Sequence, residues 1–135
     1  MSHWASKYIG IPYLLGGRTA EGVDCWGLVR LVYLQERGID LPILPGVVEG
    51  GLLGACREIR SQKGDKWEGL IAPTDLCAVA MGRARRSFSH VGVWTDADGG
   101  KVIHAYEKGC VVAETLRTLN RFYGLVNIQF YGFHH

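Results

Sequence analysis

The period of the apolar residues changes at Pro73, and that change limits the chain to one class of fold. Ahead of it, Leu28, Leu31 and Val32 recur at spacings of three and four, the mark of one helical face. Beyond it, short β-type runs follow one another at Asp75–Met81, Val91–Thr95, Lys101–Tyr106, Cys110–Glu114 and Val126–Gly132. Asp96–Gly100, reading DADGG, has the composition of a hairpin turn, so neighbouring strands run antiparallel. Helices first and strands after give an α+β fold, with N-terminal helices packed on a small antiparallel β-sheet in a single domain, 1–135. The strongest helix opens at Asp24 and stops at Gly38, a good residue to end it. Residues 2–9 suit a short amphipathic helix closed by Gly10 and Pro12, and a glycine-marked loop fills Tyr13 to Val23. Residues 39–50 read as an extended connection, and a second helix is expected from Leu52 to Gln62, anchored by Ile59.

Composition excludes several functions. With 47% apolar and 21% charged residues the chain is an ordinary globular one, not a disordered one. A net charge of +2 is too small to argue for nucleic acid or a membrane surface as partner. No apolar run approaches the roughly 20 residues that cross a bilayer, so membrane insertion is not expected. The opening MSHWASKYIG lacks the charged-then-apolar pattern of a signal peptide. The expectation is therefore a protein cytoplasmic as synthesised, carried by other means to any target outside. Of the four cysteines, Cys56, Cys77 and Cys110 lie in apolar helical or strand contexts and read as small buried hydrophobes.

Cys25 is different. It follows a Gly-x-Asp turn and begins the best helix, where unsatisfied N–H groups concentrate positive potential and lower a thiol's pKa. The same N–H groups can hold the oxyanion formed when a carbonyl is attacked. Position alone also fits a buried cysteine beside an Asp N-cap. The histidines add weight: His90 starts one strand, His104 lies in the next, and the turn between them lets both imidazoles share a face. A base that takes the thiol proton needs a third group to orient it, and His104 can do so by accepting from His90. Each histidine alone fits an ordinary strand residue, whereas Cys, His and His together in this order point to thiol chemistry. A zinc site of these three lacks a fourth ligand and a supporting carboxylate, so no metal or other cofactor is called for.

The motifs Tyr13-Leu14-Leu15-Gly16-Gly17 and Gly22-Val23-Asp24-Cys25-Trp26-Gly27-Leu28-Val29 resemble the nucleophile region of the NlpC-type, papain-like cell-wall cysteine peptidases. Ala72-Pro73-Thr74-Asp75-Leu76, Ser89-His90-Val91-Gly92-Val93 and Ile103-His104-Ala105 are similar to that family's later motifs, so the resemblance runs from Tyr8 to Val112. It implies a catalytic triad of Cys25, His90 and His104, with no cofactor. It implies an oxyanion hole from the Tyr13 hydroxyl and the Cys25 N–H, and substrate contacts from Asp24 and Ser89. Tyr13 and Asp24 fit a packed aromatic and a helix cap equally well. Three departures stand out: Thr74 replaces a glycine, Trp26 follows the nucleophile where the family commonly has Ser, and the Cys-to-His stretch is long. Trp26 either narrows the substrate cleft or packs beneath it. These features, with Gly17-Arg18 and Arg30, resemble the branch encoded in phage tail gene clusters.

The implied substrate is a peptidoglycan stem peptide, cut at the amide between γ-D-glutamate and a diamino acid. The implied setting is a virion tail tip acting on the host cell wall in the periplasm, with other tail-tip proteins as partners. The alternative is a tail-tip assembly component that keeps the fold with little or no catalysis. A related acyltransferase or amidase would use the same residues. Arg83, Arg85 and Arg86 read as a solvated basic turn, His134 and His135 as tail, and Trp4, Trp67 and Trp94 as packing.

Overall fold

The computed structural model describes residues 3–41, 67–84 and 88–133. The central helix, α1 (Cys25–Arg37), has the termini its sequence calls for. Asp24 accepts a hydrogen bond from the Gly27 N–H at 2.7 Å, and Gly38 takes the left-handed conformation that closes the last turn. Its Leu28, Val29 and Val32 are fully buried.

A two-residue ladder inside the glycine loop joins β1 (Arg18–Thr19) to β2 (Gly22–Val23). The main sheet holds β3 (Trp67–Leu70), β4 (Ala78–Gly82), β5 (His90–Thr95), β6 (Lys101–Ala105), β7 (Val111–Glu114) and β8 (Asn127–Phe133). Its order is β3-β8-β4-β5-β6-β7, antiparallel throughout. Alternation along the strands gives the sheet two apolar faces. Ala78, Ala80, Val91, Val93, Ile103 and Ala105 pack with α1. Val79, Met81, Trp94 and Val102 pack on the other side with Leu119 of α2 (Leu116–Tyr123) and with Leu125. Burying each large apolar side chain stabilises the fold by about 1.5–3 kcal/mol, so both faces hold the sheet.

The expected α+β class and antiparallel sheet are present, and chain similarity reported below agrees. Three elements go beyond the sequence reading: the β1–β2 ladder, β3 and α2. Eight residues are too few to make a stable helix in water, and α2 depends on burying Leu119 against the sheet. Its signal was nonetheless present, in the Thr115 cap, Leu116, Leu119 and Tyr123 at helical spacing, and Gly124 in the left-handed region. Near the N-terminus a 3₁₀ helix covers Trp4–Tyr8. The expected helix at 52–62, with Cys56, lies outside the described residues, as do Arg85, Arg86, His134 and His135. Among the described residues no helix is long and apolar enough to cross a membrane.

Candidate active site

The start of α1 is held by an arch of backbone hydrogen bonds. Leu14 donates to the Val23 carbonyl at 2.9 Å, Val23 to Pro12 at 3.0 Å, and Asp24 to Gly17 at 3.1 Å. The Asp24 carboxylate, 3% exposed, ties the arch to the helix, accepting from the Gly16 N–H at 2.9 Å as well as from Gly27. Both of its oxygens are thus engaged by backbone amides, so Asp24 caps the helix and braces the arch. The glycines are set by close approach. A Cβ on Gly27 would overlap the Gly17 carbonyl, and one on Gly17 would overlap the Gly22 carbonyl. Those contacts explain why the spacing Gly17, Gly22, Gly27 brackets the cysteine.

Cys25 is the first residue of α1 and is 4% exposed. Its N–H belongs to the first turn, where a helix offers no acceptor of its own. Tyr13 lies half-buried near this thiol. Burial raises its phenol pKa to about 12, aided by the negative charge that Cys25, Asp24 and then Glu107 carry when ionised. At neutral pH Tyr13 is therefore protonated and able to donate a hydrogen bond. Trp26 does not line a cleft: at 2% exposure it belongs to the core between α1 and the sheet. That corrects its reading as a substrate-facing residue and leaves the packing alternative. Glu107, exposed in the turn between β6 and β7, is a neighbour of Tyr13 that the sequence reading missed; nothing in its local pattern marks it.

The two histidines meet through strand register. Val93 stands opposite Ile103, so the same register sets Gly92 opposite His104, with His90 two residues away on the same face. A Cβ on Gly92 would lie 3.2 Å from the His104 Cβ and 2.6 Å from the Ile103 carbonyl oxygen. Glycine here leaves room for His104 to lean toward His90. His90 Nε2 and His104 Nδ1 share a hydrogen bond of 2.9 Å, with the rings edge-to-face at 5.0 Å. His104 is fully buried. Burial, and then the neighbouring His104, push the His90 pKa down to about 3; burial pushes His104 down to about 4. Both imidazoles are neutral at pH 7.

His90 opens β5 at the end of the sheet where the β6–β7 turn holds the arch, since the Tyr13 backbone N–H donates to the Gly109 carbonyl at 3.0 Å. Ser89, half-buried, is fixed beside it by its backbone N–H, which donates to the Met81 carbonyl at 2.8 Å. Of the remaining cysteines, Cys77 is buried, and that burial raises its pKa to about 11, so it stays a thiol. Cys110 is only half-buried, in contrast to its expected place in the core. Arg83 is exposed, as a solvated basic turn requires.

Comparison with known proteins gives a consistent family. Residues 10–123 match the NlpC/P60 family. The chain is 59% identical over 39 residues, 28% of its length, to a γ-DL-glutamyl hydrolase of Bacillus subtilis. It is 29% identical over 116 residues, 86% of its length, to a protein of Haemophilus influenzae named a probable endopeptidase. It spans 9% and 63% of those two proteins. Among solved structures, the NlpC/p60 domain of the peptidoglycan hydrolase SagA superposes with a TM-score of 0.60 at 23% identity, covering 93% of this chain and 91% of that one. An NLP/P60-family protein similar to lipoprotein, from Staphylococcus aureus, gives a TM-score of 0.54 at 20% identity, covering 93% and 38%. At these identities the structural likeness speaks for the fold alone.

Proposed function

This chain belongs to the NlpC/P60 family, and from that premise we propose that it is a cysteine peptidase that hydrolyses peptidoglycan stem peptides through a thioester on Cys25. The observation that carries the reading is the 2.9 Å bond between His90 Nε2 and His104 Nδ1. With Nε2 so engaged, the nitrogen left to His90 for proton transfer is Nδ1, on a neutral ring. The reading requires Nδ1 to meet the Cys25 sulfur at the end of the sheet that both elements share.

The steps follow from those roles. The Cys25 thiol gives its proton to His90 Nδ1 as the sulfur attacks the amide carbonyl. The Cys25 N–H and the Tyr13 hydroxyl hold the oxyanion. The His90 imidazolium then protonates the leaving amine, and the C–N bond breaks to leave a thioester. Water, deprotonated by His90, attacks the thioester and releases the acid and the thiol. The bond proposed for cleavage joins the γ-carboxyl of D-glutamate to a diamino acid, with Ser89 near the peptide's amino end. The names of the Bacillus and SagA proteins support this substrate class. The sequence around Cys25, with Gly17-Arg18 and Trp26, supports a setting in a phage tail tip that acts on the host wall.

Replacing Cys25 by Ala abolishes release of muropeptides from purified peptidoglycan, read by mass spectrometry, while circular dichroism stays unchanged. Undiminished release from that variant overturns the mechanism. One observation favours the reading as an assembly protein of weak activity: the small exposure of Cys25. Thiol labelling across pH separates the two, since an activated cysteine reacts well below pH 8 and an inert one does not.

A further inference from the structure

His104 is fully buried, yet its Nε2 has no hydrogen-bond partner among the described residues. A buried polar atom left this way costs about 1–3 kcal/mol, so what stands near it matters. The ring of Tyr123, the last residue of α2, packs edge-to-face with the imidazole, 5.2 Å between centroids and 83° between planes. That ring is itself held. Its hydroxyl donates to Glu114 Oε1 at 3.2 Å, and Tyr106 packs on it edge-to-face at 5.8 Å. The face of an aromatic ring carries partial negative charge and receives an N–H donor.

We propose that Tyr123 is a positioning residue for the histidine pair: its ring face receives the Nε2–H of His104 and fixes that imidazole's tautomer. A neutral imidazole carries one proton. With that proton on Nε2, His104 Nδ1 presents a lone pair, and the hydrogen between the two rings belongs to His90 Nε2. His90 then has its basic lone pair on Nδ1, ready for the thiol proton. In the other tautomer His104 Nδ1 donates, His90 Nε2 accepts, and the His90 proton sits on Nδ1, where it blocks proton transfer from Cys25. Tyr123 thus decides, through His104, which nitrogen of His90 is the base. The catalytic consequence rests on the peptidase reading; the tautomer does not.

The test is a ¹H–¹⁵N imidazole spectrum of the whole labelled chain, with kinetics on the tripeptide L-Ala-γ-D-Glu-diaminopimelate. His104 Nε2 carries a proton whose resonance is shifted upfield by the Tyr123 ring current. Tyr123→Phe keeps the ring, the proton and kcat within about twofold. Tyr123→Leu removes the upfield shift and lowers kcat about two- to fivefold at unchanged KM, the size of one N–H···π contact. A bare Nε2 in the native protein, or a shift that survives Tyr123→Leu, overturns the proposal. A lost shift with unchanged kcat in Tyr123→Leu overturns the positioning role. Should Tyr123→Leu fail to fold, the native and Tyr123→Phe spectra decide. The spectra need no turnover, so a shielded Nε2 proton in a protein without hydrolase activity sinks the peptidase reading and leaves the tautomer standing.

Discussion

The arch that presents Cys25 and the strands that present the histidines solve the same problem of precise placement by opposite means. The arch spans 12–27 and is fixed by backbone: amides to carbonyls, one carboxylate bonded at both oxygens, and glycines packed where no Cβ fits. The histidines come from positions 90 and 104, and side chains fix them: two neutral rings bonded to each other, His104 fully buried and His90 half-buried. A backbone-built region tolerates almost no added atom. A side-chain-built region tolerates change in shape but responds to protons, because burial holds both rings far below their ordinary pKa.

Substitution tests that contrast directly, and the largest effect falls on the arch. Gly27→Ala forces a methyl group into the Gly17 carbonyl, so unfolding free energy drops by about 3 kcal/mol or more in urea titrations. A variant as stable as the native chain would show that the arch is not sterically locked. Next comes Tyr13→Phe, which keeps the ring and deletes the donor. Its kcat falls about 100-fold, with little change in melting temperature. An unaltered kcat would reduce Tyr13 to packing. Asp24→Ala removes the cap and the Gly16 partner together and costs about 2 kcal/mol by thermal unfolding. A smaller loss in Asp24→Asn, whose side-chain oxygen still accepts one bond, would tie the effect to capping.

The remaining effect is a slope rather than a step, and it belongs to the histidines. Unfolded, each takes a proton near pH 6.5; folded, they stay neutral down to about 3 for His90 and about 4 for His104. Between 6.5 and 4 the unfolded chain binds more protons, so stability falls as the pH falls through that window and is fully present above it. Urea midpoints measured from pH 7 to 4 should decline, and His104→Asn should remove one proton's share of the decline. Equal slopes in the two proteins would mean that His104 is not held neutral by the fold.

The two regions were not equally legible. Asp24 and Gly38 mark both ends of α1 because a helix cap is a local interaction, readable from a residue and its near neighbours. The run of strands and the hairpin between His90 and His104 were readable for the same reason. β3 was not, because Trp67–Leu70 becomes a strand by pairing with β8, some 60 residues away. Trp26 fitted a cleft wall and a packed indole alike, and only the packing of α1 on the sheet decides that it belongs to the core.

By itself the sequence determined the α+β class, the placement of a cysteine at a helix N-terminus, and a pair of histidines on adjacent strands. These follow from periodicity, capping and turn chemistry, which act over a few residues. Tertiary structure alone decided that the imidazoles bond to each other, that both are neutral, that the Asp24 carboxylate is spent on amides, and that Tyr123 packs edge-to-face on the His104 ring, whose Nε2 has no hydrogen-bond partner among the described residues. Those facts depend on burial and on contacts between distant segments, and no local pattern encodes how much water a folded chain excludes.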